Sequence, residues 1–218
     1  MAGLLRQSLT HARLREAWKR VRSNGGQPGV DGISIEDFET GHLPALDLLR
    51  QEVLGNRYHA SELKRIWLPR KGKSPRPIGI PVVRDRVLQT AVALTLAPIF
   101  EAEFEECSYA YRKGRSVRMA VERIGVLQRQ GYRWVVEADI ERFFDCIPHD
   151  RVLQALRDVA PDDALADLVR QWLTAPVQDG ERLTQSTIGI PQGSPISPML
   201  ANLYLNHLDR RPPGLSST

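Results

Sequence analysis

Cysteine is scarce in this chain. Cys107 and Cys146 are the only two in 218 residues, too few for a disulfide framework or a cysteine-ligated zinc site. Long apolar runs are missing as well, and none approaches the ~18 residues that a membrane-spanning helix needs. The N-terminal stretch MAGLLRQSLTHARLREAWKR has no uninterrupted apolar segment of the kind a secretory leader requires. Internal repeats and long low-complexity stretches are also absent. These absences predict a soluble, cytoplasmic chain with no membrane partner. A hydrophobic content of 42% is enough to build a core, and 26% charge does not point to disorder. The length suits one domain or two small lobes sharing a boundary.

The net charge of +4 conceals strong segregation. Residues 57–86 hold nine basic side chains against Glu62 and Asp85, and residues 109–133 hold seven against Glu122. The remainder of the chain is therefore acidic. Clustered lysine and arginine reward binding to polyanions through counterion release, so the two blocks point to a nucleic acid or a nucleotide. A solvated surface with chance clustering is the plainer reading of the same residues.

Helices dominate the first third. Leu4, Leu5, Leu14, Trp18 and Val21 fall at roughly helical spacing over 3–22, and the run Ser23–Gly29 reads as a loop. Ser34 with Asp37 resembles a capping box that opens a second helix toward Leu54, with Pro44 expected to kink it. Leu63–Pro69 reads as a strand and Arg76–Pro81 as its return, joined by a basic tip at 70–75. A long helix is expected over Arg84–Phe100, ending near Pro98, and another over Ser116–Gln130. The apolar run Trp134–Ala138 is too brief for anything but a strand. Helices follow at Pro148–Val159 and Ala164–Trp172. Asp179-Gly180 marks a hairpin turn with Leu183–Ile190 returning, and a last helix runs from about Ser197 to Leu208 before a frayed tail. Helices first, then strands and helices mixed, argue for an α+β fold.

Three segments carry candidate chemistry. Within Val135–Asp145, an apolar strand ends in Asp139, a usual place for a Mg²⁺ ligand, with Phe143 and Phe144 able to wall a pocket beside it. A turn-capping aspartate and two core aromatics would explain the same pattern. Gly189–Pro198 is a Gly- and Pro-rich loop entering a helix, and its free N–H groups suit a nucleotide or a strand backbone. Its alternative is a tight connection N-capped by Ser197. Leu68–Pro81 lacks the GxxxxGK[ST] spacing of a phosphate-binding Walker loop. It suits a basic fingertip closing over a triphosphate, or a solvated hairpin.

The order of these segments is more specific than any one of them. LPRKGKSPRPIGIPVVRDRVLQTAV, SYAYRKGRSVRMAV, VEADIERFFDCIPHDRVL and IGIPQGSPISPMLANLYLNHLDR resemble successive blocks of reverse transcriptases. The likeness is to the bacterial, group II intron-encoded kind, and NGGQPGVDGIS at 24–34 is similar to the block that precedes the fingers there. The resemblance covers roughly 20–210. It implies a right-hand polymerase fold and RNA-directed DNA synthesis by two-metal phosphoryl transfer. By that resemblance, 1–110 would be the N-terminal extension and fingers, and 111–146 the first part of the palm. Residues 147–195 would connect fingers and palm and end in the Pro-Gln-Gly loop, and 196–218 would hold a palm helix and the tail.

The same resemblance implies roles for individual residues. Asp139 is the expected catalytic metal ligand, bridging two Mg²⁺ ions (with Mn²⁺ as a substitute), and the Ile140 carbonyl helps at the nucleotide-side ion. Phe144 matches the bulky residue under the incoming sugar, where a ribose 2′-hydroxyl would clash, so dNTPs are favoured. Gln192 and Gly193 match the loop that contacts nucleotide and template. Arg70 and Arg76 match fingertip residues that grip the triphosphate, with Lys71 and Lys73 as substitutes. The Tyr109–Ser116 stretch is expected to face template and primer. Implied partners are an RNA template, a DNA or RNA primer, a dNTP and intron RNA. His149, Asp145 and Asp150 are expected to shape a turn and a helix start.

One block of the family pattern is missing. An aromatic-x-Asp-Asp hairpin should follow the Leu203–Asp209 helix, and no Asp-Asp pair occurs there. Asp162-Asp163 lies upstream of the Pro-Gln-Gly loop and cannot replace it. The expectation is fingers with an incomplete palm and no thumb, truncated before that hairpin and inactive alone. A non-catalytic RNA-binding remnant is the alternative.

Overall fold

Thr10 divides the N-terminal helix that the leucine spacing predicts. In a computed structural model describing residues 3–210, α1 spans Leu4–Ser8 and α2 spans His11–Asn24. The Thr10 side chain accepts from the Arg13 N–H, which makes it an N-cap that starts a new helix. The tail at 211–218, expected to be frayed, lies outside the described residues. Ser34 and Asp37 form the predicted capping box at the start of α3, Ile35–Thr40. The break before α4, His42–Leu54, falls at Gly41 instead of Pro44. Pro44 sits in the first turn of α4, where a missing N–H costs no helical hydrogen bond.

Strands β1, Leu63–Arg70, and β2, Lys73–Ile80, form an antiparallel hairpin turning at Lys71-Gly72. The turn is tighter than the 70–75 tip that the sequence predicts, because Arg70 pairs with Lys73 and Ser74-Pro75 join the strand. Two prolines in β2 are tolerated because β2 lies at the edge of a sheet ordered β2-β1-β3-β4. Strand β3, Val177–Asp179, runs parallel to β1, and β4, Arg182–Thr184, returns across the Gly180 turn. The predicted return to Ile190 is shorter in the structure. Residues 185–190 leave the sheet, with one bridge between Pro148 and Ile188.

Helix α5, Val83–Glu103, is the axis of the core. Val83, Val87, Leu88, Ala91, Val92, Leu96 and Phe100 are fully buried, and so nearly are Asp85, Arg86 and Gln89 on other faces. It passes through Pro98, where the sequence predicts an end. A proline inside a helix costs about 3 kcal/mol. Burial of Phe100 with Ile99 and Phe104 packed nearby returns about 1.5–3 kcal/mol per side chain, enough to carry the helix onward. Helices α1, α2 and α4 pack on α5 from the N-terminal side.

A buried polar network fastens α5 to the start of the sheet. The Asp85 carboxylate accepts from the Tyr58 hydroxyl and the Ser61 N–H, each at 2.9 Å. Trp172 donates its indole N–H to the Tyr58 oxygen at 2.9 Å. Burial pushes the Asp85 carboxyl above its usual range, against the lowering effect of these donors, and burial likewise raises Tyr58.

The later helices α6, Val117–Arg129; α8, His149–Val159; α9, Asp163–Leu173; and α10, Ser197–Asp209, match expectation closely, and a one-turn helix that the sequence does not predict, α7, forms at Phe143–Cys146. Helices α8 and α10 close the core against α5. The predicted strand at 134–138 does not form. Residues 132–140 pair with no strand among the described residues, and Trp134 and Val136 are 95% and 93% exposed. A strand exists only through a partner's hydrogen bonds, and none of the other described strands lies alongside this one. The side chains of α6 are not buried either. Among the described residues, no helix is long and apolar enough to cross a membrane.

Replacing Asp85 with alanine leaves the Tyr58 hydroxyl and Ser61 N–H buried without their acceptor. We expect a loss of about 2–4 kcal/mol in a denaturant titration. A loss near zero would show that the network does not bind helix to sheet.

Candidate functional site

The Pro-Gln-Gly loop is fixed at both ends before its side chains are considered. Gly189, at φ +93°, donates its N–H to the Ile147 carbonyl at 2.8 Å, and the Ile190 N–H reaches the Phe144 carbonyl at 2.7 Å. The buried His149 ring nitrogen lies 2.7 Å from the Gly189 carbonyl oxygen. This places His149 as a brace for the loop at the helix start, in line with its expected structural role. Farther on, the Gln192 carbonyl accepts from the Gly79 N–H of β2 at 2.7 Å. Gly193, at φ +111°, packs so tightly that an added Cβ would meet the Gly79 oxygen at 2.6 Å. The loop therefore joins the β1–β2 hairpin to the turn after Asp139.

Side chains reinforce the same seam. Arg76 donates its Nε–H to Gln192 Oε1 at 2.6 Å, and Gln192 Nε2 donates to Asp145 Oδ1 at 3.0 Å. Arg142, in a left-handed conformation, donates to Asp145 Oδ2 at 3.4 Å. Arg142, Asp145 and Gln192 border a cleft of about 350 Å³ that Arg65, Pro77 and Gly79 help to line. Phe144 is half-buried and edge-on to Phe143 at 5.8 Å, and Phe143 stacks on Tyr204 of α10 at 6.3 Å. Arg76, Phe144, Gln192 and Gly193 are thus brought into one neighbourhood by the fold.

The remaining sequence candidates lie apart. Arg70 donates its Nε–H to the Ser74 carbonyl at 3.0 Å and stays exposed at the hairpin tip. Asp139 and Ile140 stand exposed in the unpaired segment, and Asp139 has no hydrogen bond or ion pair among the described residues. No cluster of three or more His, Cys, Asp or Glu side chains able to hold a metal ion forms there either. One carboxylate does not fit a two-ion centre, which needs about three to balance roughly four positive charges. Asp162 caps α9 through the Leu165 N–H and also accepts from Leu5, so Asp162-Asp163 is occupied structurally. Ser197 is not the N-cap of α10, since that place is held by Ile196. Its hydroxyl donates instead to the Pro191 carbonyl at 2.7 Å. Cys107 and Cys146 are exposed free thiols.

Two arginines counted as surface charge from the sequence turn inward. Arg112, within the Tyr109–Ser116 stretch, makes a bidentate pair with Glu101 and donates to the Glu105 and Ser108 carbonyls. Its hydrogen bonds hold the Glu101 carboxyl below the usual range. Arg86 donates to the carbonyls of Gly25 and Gln27 at 3.4 and 2.8 Å, fastening the 24–29 loop over α5. That loop borders a second cleft, of about 520 Å³, whose far side is Gly193, Pro195 and Met199. Neither partnership has a sequence signal, because the acceptors are backbone carbonyls or lie a helix away.

Comparison with known proteins places this geometry in context. Residues 68–214 match the family described as reverse transcriptase (RNA-dependent DNA polymerase). The chain is 32% identical over 204 residues to Protein YkfC of Escherichia coli (strain K12), covering 90% of this chain and 53% of YkfC. It is 33% identical over 197 residues to Group II intron-encoded protein LtrA of Lactococcus lactis subsp. cremoris, covering 89% of this chain and 32% of LtrA. The chain thus spans about half the length of the first relative and a third of the second. Among solved structures, a chain of the Cas6-RT-Cas1--Cas2 complex superposes with a TM-score of 0.66 at 27% identity, over 95% of this chain and 22% of that one.

Gly193→Ala tests the seam itself. The added methyl meets the Gly79 carbonyl, and the left-handed backbone disfavours it further. We expect about 1–3 kcal/mol of destabilisation, with loss of protection at the Gly79 amide in hydrogen exchange. Unchanged stability and protection would mean that the loop and β2 do not touch.

Proposed function

The chain belongs to the reverse transcriptase (RNA-dependent DNA polymerase) family, and from that premise we propose that it forms the nucleotide- and strand-gripping part of a group II intron-type enzyme. Its α+β architecture is that of the fingers and adjoining palm of a right-hand polymerase. The observation that carries the reading is the hydrogen bond from Arg76 to Gln192, which closes the basic hairpin onto the Pro-Gln-Gly loop. In this reading Arg76 holds the phosphates of an incoming dNTP, and Arg70 at the hairpin tip adds charge to the approach. Gln192 and Gly193 contact nucleotide and template. Phe144 lies under the sugar, where its bulk rejects a 2′-hydroxyl.

The strand partners follow from charge and aromatic exposure. Strand β1 presents Arg65 over the half-exposed ring of Trp67 at 5.9 Å, a pairing suited to phosphate and base together. An RNA template and a DNA or RNA primer fit these surfaces without sequence readout. Intron RNA is a further proposed partner, on the strength of relatives named as intron-encoded. Family members use divalent metal ions, and Mg²⁺, with Mn²⁺ in its place, is the proposed cofactor at Asp139 and the Ile140 carbonyl. Because Asp139 stands alone among the described residues, bond formation needs further carboxylates beside it. That isolation also favours a second reading, in which the chain by itself binds RNA without catalysis.

Primer extension on an RNA template, with Mg²⁺ and with Mn²⁺, separates the two readings when run beside Asp139→Ala and an RNA-binding titration. The polymerase reading predicts dNTP incorporation that Asp139→Ala abolishes. No incorporation, with RNA affinity that falls at least about tenfold between roughly 50 and 200 mM salt, would select the RNA-binding reading. RNA affinity indifferent to salt would contradict both.

A further inference from the structure

Asp145, expected from the sequence only to shape a turn, has no role in the nucleotide reading so far, yet it occupies the centre of the seam. It follows Phe144 directly, and its carboxylate meets the Gln192 amide across 47 positions of sequence. Gln192 in turn meets Arg76 on the edge strand. Carboxylate, amide and guanidinium thus form one chain from the palm turn to the fingers. We propose that Asp145 is a positioning residue, which fixes the side-chain amide of Gln192 and through it aims Arg76 at the triphosphate of the incoming nucleotide. The proposal rests on the nucleotide reading given above.

The chemistry of the three groups selects one arrangement. A carboxylate only accepts and a guanidinium only donates, whereas a glutamine amide does both. Gln192 satisfies both neighbours with its NH₂ toward Asp145 and its carbonyl toward Arg76. A flipped amide would set oxygen against carboxylate and NH₂ against guanidinium, giving two repulsive contacts in place of two attractive ones. Without the Asp145 charge, the flip no longer opposes a carboxylate, and the amide loses half of what orients it. The backbone beneath is already fixed by the Gly79–Gln192 hydrogen bond and the close approach of Gly193. What Asp145 adds is therefore side-chain order.

Arg76 benefits in a specific way. It is held through Nε alone, and its two terminal nitrogens have no partner among the described residues. A guanidinium tethered at Nε still offers its outer donors to phosphate, and a side chain ordered in advance loses less entropy when it binds. Arg70 supplies an internal contrast. Its Nε is spent on the Ser74 carbonyl of its own hairpin, with no link to Gln192. The structure thus separates two fingertip arginines that the sequence presents as equivalents. Asp145 also holds Arg142, so a change at Asp145 must be distinguished from release of that arginine.

The test uses the full chain labelled with ¹⁵N, with inorganic tripolyphosphate as the probe. Asp145→Asn keeps the shape and removes the charge, and Asp145→Ala guards against a misleading result from one variant. Both are expected to move the Arg76 Nε–H resonance and to weaken tripolyphosphate binding about three- to tenfold. In an Arg76→Ala background the same changes should have no further effect, while in an Arg70→Ala background the loss should persist in full. An unmoved Arg76 resonance would overturn the proposal. So would an equal loss in the Arg76→Ala background, or an Arg142→Ala variant that reproduces the whole effect. If the resonance moves but the unaltered chain binds no tripolyphosphate, the hydrogen-bond relay stands, and the nucleotide reading falls together with the positioning role.

Discussion

Everything at the candidate site depends on how closely two stretches of backbone approach each other. Gly193 lies against the carbonyl of Gly79 with no room for a side chain, while the Gly79 N–H bonds the Gln192 carbonyl next to it. Edge strands ordinarily present unpaired backbone groups to solvent. Here one such group on β2 is used to capture the Pro-Gln-Gly loop, so the same contact protects the edge and sets the site. Once the two backbones are locked, Arg76 and Gln192 fall within reach of each other without any movement of the hairpin.

The lock needs a rigid support, and α5 provides it. A helix buried on nearly every side carries no broad solvent face, so its polar residues turn inward and become fasteners. Asp85 holds the approach to β1, and Arg86 holds the 24–29 loop. Both follow β2 within a few residues, so the β1–β2 hairpin and the N-terminal loop are referenced to the same turn of helix. On the other side of the seam, His149 and the Phe144 carbonyl hold the loop to the start of α8. The site is thus suspended between two anchored segments that are far apart in sequence.

What could be read from the sequence was what sequence encodes locally. The Ser34–Asp37 capping box, the β1–β2 hairpin, the Asp179-Gly180 turn and helices α6, α8, α9 and α10 all rest on side chains within a few residues of each other. Thr10 had the same kind of local signal, but the leucine spacing masked it. Pro98 shows a local rule overridden by burial of the aromatic residues beyond it. Residues 134–138 show the opposite limit. Their β-branched run has strand propensity, but a strand is a relation between two segments, and propensity cannot supply a partner. Of the residues that the fold gathers at the candidate site, the ordered blocks singled out Arg76, Phe144, Gln192 and Gly193. They gave no sign of the contact to Asp145, because nothing in a turn aspartate's immediate neighbours announces a glutamine 47 positions away.

The chain builds a locked seam between the β1–β2 hairpin and the Pro-Gln-Gly loop while leaving the segment that carries Asp139 unpaired among the described residues. Native-state hydrogen exchange, resolved to single amides and without added nucleic acid, tests both halves together. The account predicts strong protection at Gly79, Gly189 and Ile190, approaching that of α5, and rapid exchange throughout 132–140. Fast exchange at the three seam amides, or protection across 132–140 comparable to β1, would contradict it.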